Sequence, residues 1–132
     1  MRRTAIAVAT VALVSFFASV PAGAQSPAAG GTLKSGVPKA GSVTTPDGIE
    51  YTFSAVAGSH VTVTISNAKT AHSGCLQLGA SQDNNAWGPV DFSTTSPSAD
   101  LDFTLQYNDT VRVVVSGCDD DGATGKFTIT YS

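Results

Sequence analysis

Few residues of this chain have the type and spacing that chemistry requires. Its serines, its aspartates and its two histidines, His60 and His72, include the parts of a nucleophilic triad. No Gly-x-Ser-x-Gly elbow is present, however, to expose a serine on a sharp turn. His60 alternates with Thr62 and Thr64 on the polar side of a strand pattern, where a solvated imidazole is expected, and His72 lies in a polar stretch. Neither histidine has a partner at the spacing of a metal-ligand pair. The acidic run Asp119-Asp120-Asp121-Gly122 is the best cation candidate. Adjacent loop carboxylates supply part of the oxygen shell that calcium needs. The run departs from EF-hand spacing, and aspartates beside glycine are ordinary turn formers. The expectation is therefore a chain without catalytic residues and without a required cofactor, calcium being the secondary reading.

Two other features carry recognition or cross-linking chemistry. Trp87, the single tryptophan, lies in Asn84-Asn85-Ala86-Trp87-Gly88-Pro89. An exposed ring among amides would give a sugar- or peptide-binding surface apolar area and hydrogen bonds, so Asn84, Asn85 and Trp87 are the candidate ligand-binding residues. The other reading of Trp87 is that it folds back to cap an open end of the domain. Cys75 and Cys118 are the only cysteines. In an oxidising compartment two cysteines most simply pair with each other, whereas a metal site would want a neighbouring CxxC or histidine pair.

That compartment is indicated at the start of the chain. Arg2 and Arg3 precede an uncharged apolar run from Ala5 to Val20, and Pro21 precedes the small-residue site Ala22-Gly23-Ala24. This is the pattern of a secretory signal peptide, residues 1–24, with cleavage expected after Ala24 and no membrane insertion thereafter. The run is short for a spanning helix, which needs about 20 apolar residues. Cleavage would remove two of the seven Lys and Arg residues, leaving five against ten acidic ones. Such a chain has no basic cluster with which to hold nucleic acid or an anionic membrane.

The elements that must position these residues are strands. Residues 25–31 are Ser, Pro, Ala and Gly with Gln25 at their head, and are expected as a flexible leader. A single domain is expected over 32–132. Ile49, Tyr51 and Phe53 alternate with Glu50, Thr52 and Ser54. After Ala57-Gly58, Val61, Val63 and Ile65 alternate with His60, Thr62 and Thr64. A period of two means half-buried antiparallel strands. The same pattern returns at Leu76/Leu78, Leu101/Phe103/Leu105, Val111/Val113/Val115 and Phe127/Ile129/Tyr131. Val114 stands on the opposite face from its valine neighbours, which predicts partial cover there. Asn67–Gly74 reads as a loop, Trp87-Gly88-Pro89 as a break in pairing, and Tyr107-Asn108-Asp109 as a hairpin bend. Seven to nine short strands with turn signals between them predict an all-β, jelly-roll-like antiparallel sandwich.

The order of these pieces resembles the bacterial pre-peptidase C-terminal domain family. The likeness runs from Gly41-Ser42-Val43 and Asp47 through Tyr51-Thr52-Phe53-Ser54-Ala55, Ala57-Gly58-Ser59 and Val61-Thr62-Val63-Thr64. It continues in Leu76-x-Leu78, Leu101-x-Phe103-x-Leu105, Val111-Arg112-Val113 and Ser116-Gly117, and ends at Gly125-Lys126-Phe127-Thr128-Ile129-Thr130. Two departures are Asn108-Asp109-Thr110-Val111, where the family usually has a Gly-x-Tyr turn, and the lack of an accompanying catalytic domain. Asn108-Asp109-Thr110 is formally a glycosylation sequon, read here as a turn because the family is bacterial. The resemblance implies a non-catalytic accessory fold of a kind proposed to assist secretion, maturation or substrate attachment. The reading adopted for this chain is a secreted, monomeric module recognising an extracellular protein or polysaccharide. Two alternatives stay open. One is a cell-envelope protein that pairs through an exposed strand edge. The other is an inhibitor or chaperone-like partner of a separately encoded secreted protease.

Overall fold

The computed structural model describes residues 27–45, 47–71, 74–118 and 123–132. The expected signal peptide, His72 and the acidic run Asp119–Asp121 lie outside the described residues. Among those described, every regular element is a strand: β1 (Ala28–Thr32), β2 (Lys39–Val43), β3 (Ile49–Ala55), β4 (His60–Thr70), β5 (Leu76–Gln82), β6 (Asn85–Phe92), β7 (Ala99–Thr104), β8 (Asp109–Gly117) and β9 (Gly125–Tyr131). They form two sheets, one of order β1-β3-β8-β5-β6 and one of order β2-β9-β4-β7. All pairings are antiparallel except β1 with β3. The predicted all-β sandwich is the fold observed.

Alternation decides which side chains meet between the sheets. Tyr51 and Phe53 of β3, Leu76 and Leu78 of β5, and Val111, Val113 and Val115 of β8 face Val61, Val63 and Ile65 of β4, Leu101 and Phe103 of β7, and Phe127 and Ile129 of β9. All are nearly inaccessible to solvent. Burying each such side chain stabilises the fold by about 2 kcal/mol before conformational entropy is subtracted. Phe53 stacks on Tyr131 with ring centroids 3.9 Å apart. Tyr51 and Phe92 meet Phe127 edge-on.

Four expectations are corrected. Residues 28–31 are not a flexible leader but form most of β1. That strand needs no apolar side chains, because it is held by backbone pairing to β3 and its Gly30 lies over the Tyr51 ring, where a Cβ would come within 2.5 Å. Residues 67–70, expected as loop, continue β4 through a bulge between Ser66 and Lys69, with Asn67 at φ 55°. Asparagine tolerates that left-handed conformation. The segment Trp87-Gly88-Pro89 does not end pairing. It lies within β6, where a register shift opposite Leu78/Ala80 absorbs it, as bulges do. Residues 107–109 make no hairpin, since β7 and β8 belong to different sheets. In fact β5–β6 is the only sequential pair within one sheet among the described strands.

The outward Val114 is buried, as its position suggested. It pairs with Gly79 of β5 and sits beside Gly88 and Pro89 in a shallow depression. Cys75 and Cys118 are joined, with Cα atoms 5.5 Å apart. The bond staples the start of β5 to the end of its neighbour β8, where Cys118 N–H also donates to the Cys75 carbonyl at 3.1 Å.

Candidate functional site

Three large hydrophobic residues remain exposed among the described residues: Val37 at 52%, Val56 at 65% and Tyr107 at 44%. They are far apart in sequence, and topology brings them to one end of the sandwich. β3 ends at Ala55 where β4 begins at His60, and β7 ends at Thr104 opposite His60. Val56 and Tyr107 therefore sit on neighbouring connections. β1 runs parallel to β3 and so delivers the Leu33–Pro38 connection, with Val37, to the same end. The β5–β6 turn at Asp83-Asn84 completes it.

Two side chains tie the β7–β8 connection at this end to β5 and to the β3–β4 connection. Gln82, the last residue of β5, is only 1% exposed. Its Nε2 donates to the carbonyls of Tyr107 at 2.8 Å and Asp109 at 3.2 Å, while its Oε1 accepts from the N–H groups of Gln106 and Tyr107, both at 3.1 Å. A buried amide with both ends satisfied in this way fixes a loop, since any movement leaves polar groups unpaired. Asn108 Oδ1 accepts from Ala57 N–H at 2.7 Å, locking the β7–β8 connection to the β3–β4 connection. Gly58 N–H donates to Leu105 O at 2.8 Å and Leu105 N–H to Ser59 O at 2.9 Å. The result is a preorganised, mixed surface of apolar tips and amides.

The residues singled out from sequence fall into two groups. Asn84 is exposed and Asn85 half-buried at this end, adjacent to the Gln82–Tyr107 knot. Trp87 is not a loop residue at the tips. It stands on the inner face of β6, half-buried, and stacks on Phe103 of β7 with ring centroids 4.4 Å apart and planes 17° from parallel. Because β6 and β7 are the edges of opposite sheets, the ring closes one side of the sandwich. His60 is exposed on the outer face of β4, 3.9 Å from Asp102 through Nε2 and 3.4 Å from Thr104 Oγ1 through Nδ1. One cluster of potential metal ligands occurs among the described residues, Cys75, Cys118 and Asp91. Its two sulfurs are already used by the disulfide.

Sequence reading missed Gln82, Val56, Tyr107 and Val37. The available signal was weak: an apolar residue abutting turn residues, as in Val56-Ala57-Gly58 and Tyr107-Asn108-Asp109. For Gln82 there was none, because a glutamine before a turn is ordinarily solvated. A further buried group lies on the opposite side of the sandwich. The Tyr51 hydroxyl is enclosed by Gly41 and Phe127 and has no hydrogen-bond partner among the described residues. Burial pushes its pKa from 10.0 up to about 12.

Comparison with known proteins adds fold-level information. No protein-family model matches the chain, and no curated protein matches it in sequence. Among solved structures, the pre-peptidase C-terminal domain of a collagenase from Bacillus anthracis superposes with a TM-score of 0.57. The match covers 83% of this chain and 99% of that domain at 12% sequence identity. The chain thus has the fold of a pre-peptidase C-terminal domain.

Proposed function

We propose that this protein is a secreted, non-catalytic binding module whose recognition surface is the loop end carrying Val37, Val56, Tyr107, Asn84 and Asn85. One observation carries the reading. The large exposed hydrophobics of the described chain gather at a single end, Val56 and Tyr107 on connections that Gln82 and Asn108 hold in place and Val37 on one tied to the end of β9 by Gly36 N–H donating to Tyr131 O. Apolar tips left in water on rigid loops represent binding surface whose ordering cost is met before the partner arrives. Likeness in fold to a domain of a collagenase supports an accessory role outside the cell. The joined cysteines agree with an oxidising compartment. The ligand class is an extracellular protein or polysaccharide gripped by apolar and amide contacts at the loops. The module acts as a monomer and needs no cofactor for this.

The test is a titration of isotope-labelled protein with soluble extracellular polysaccharides and collagen-like peptides, followed by amide chemical shifts. Saturable shifts confined to Val37, Val56, Asn84 and Tyr107, abolished in the Val56→Ser/Tyr107→Ser double variant, are the expected result. Shifts elsewhere, or none with any of these ligands, would overturn the proposal.

A further inference from the structure

A second surface lies on the side of the sandwich, at the free edge of β7. Antiparallel ladders alternate between residues bonded to the neighbour and residues whose backbone groups point away. Three observations set the phase here. Leu105 N–H donates to Ser59 O, Ala68 N–H donates to Pro97 O at 3.2 Å, and Thr62 exchanges both bonds with Ser132 on the β9 side of β4. Leu101 and Phe103 therefore direct their backbone groups toward β4, while Asp100, Asp102 and Thr104 direct theirs outward, along an edge with which no described strand pairs. The Thr104 carbonyl is taken by Gln106 Nε2 at 3.3 Å. Among the described residues nothing bonds the outward backbone groups of Asp100 and Asp102.

The other edge strands are each blunted against pairing. β1 contains a register shift and Gly31 at φ 97°. β6 contains Pro89 and a register shift. β2 opens on an exposed Lys39. These are the devices by which proteins keep edges from pairing. β7 has neither a proline nor a bulge: its register with β4 is unbroken from Ala99 to Thr104. Its protection is charge alone, Asp100 and Asp102 lying two residues apart on the outward face, both exposed. Asp102 accepts from the Thr62 hydroxyl and lies near His60, whereas Asp100 has no side-chain partner among the described residues. A second copy meeting this edge would bring carboxylates against carboxylates, which is unfavourable for directly opposed like charges.

We propose that β7 is a docking edge for an extended cationic peptide segment, which joins the sheet as a further strand. This goes beyond the loop-end reading and uses a different surface. Lysines or arginines at alternate positions would lie opposite Asp100 and Asp102 on the outer face. The intervening apolar residues would extend the inner face beside Phe103 and cover the half-exposed ring of Trp87. Main-chain bonds supply affinity in such strand addition, and the alternate side chains supply selectivity.

Trp87, the lone tryptophan, provides the readout. The probe is a synthetic peptide alternating lysine and valine, titrated into the folded protein while tryptophan emission and β7 amide shifts are followed. Saturable binding with a blue shift of Trp87 and shifts at Asp100–Thr104 is expected. Affinity should fall by about tenfold or more when the lysines become glutamates or when Asp100→Lys is introduced, and should weaken as salt is raised. The same peptide N-methylated at alternate residues keeps its charge but cannot pair, and it should not bind. Equal binding of the N-methylated peptide would reduce the contact to charge attraction and overturn strand addition. Absence of saturable shifts at β7, shifts at the loop tips instead, or a stable dimer through β7 without peptide would each overturn the proposal as well.

Discussion

Replacing Gln82 offers the sharpest test of how the loop end is built. The side chain makes four hydrogen bonds from a site that is 1% exposed. Gln82→Met keeps the length and removes all four. At about 0.5–1.5 kcal/mol net for each bond, and with water able to reach part of the exposed loop, the loss should be about 2–4 kcal/mol. Gln82→Glu separates the two halves of the interaction. A carboxylate still accepts from Gln106 and Tyr107 N–H, but it faces the carbonyls of Tyr107 and Asp109 with charge instead of donors. At neutral pH it should cost at least as much as methionine, and part of the loss should return in acid, where a protonated carboxyl regains one donor. Urea unfolding gives the stabilities, and hydrogen exchange at Gln106 and Tyr107 gives the local effect. A methionine variant that loses less than about 1 kcal/mol, with both amides still protected, would refute the claim that Gln82 holds the loop.

Other perturbations probe the two sides of the sandwich and the staple. Tyr51→Phe removes a buried hydroxyl that has no partner among the described residues, so the variant should be at least as stable as the parent, by up to about 1 kcal/mol. The raised Tyr51 pKa of about 12 adds a pH signature. The folded state retains the proton that the unfolded state releases above pH 10, so stability should be intact below about pH 10 and fall as pH rises toward 12. In the phenylalanine variant, part of that alkaline loss should disappear from unfolding curves. Gly41→Ala places a Cβ 2.0 Å from the Tyr51 hydroxyl and 2.8 Å from the Phe127 ring. Overpacking of this kind should cost about 1–3 kcal/mol by urea denaturation. The Cys75→Ala/Cys118→Ala pair opens a link across a sequence separation of 43, and should cost about 4 kcal/mol if restriction of the unfolded chain dominates. Unfolding with and without a dithiol reductant checks it, since the parent under reduction should approach the double variant.

The sequence alone determined the class of structure and the composition of its core. Tyr51, Phe53, Val61, Val63, Ile65, Leu101, Phe103, Val111 and Ile129 are inward because a strand alternates and each inward face is apolar. Periodicity is local, so it survives without knowledge of neighbours. Which strands become neighbours was not local, and the strand order, the crossings between sheets and the parallel β1 were decided only in three dimensions. β1 shows why: its pairing rests on backbone groups, with Gly30 making room for Tyr51, and neither leaves a hydrophobic pattern. Trp87 shows it again, since one ring can serve as an exposed contact or as packing, and the approach of β7 put Phe103 beneath it. The candidate site depended most on tertiary structure. Val37, Val56 and Tyr107 look like incidental apolar residues beside turns until the connections converge, and Gln82 becomes a structural residue only when the β7–β8 backbone closes over it. Faces are set by short-range alternation that a chain carries in its own order. Sites are set by which distant segments pack together, and that is a property of the whole fold.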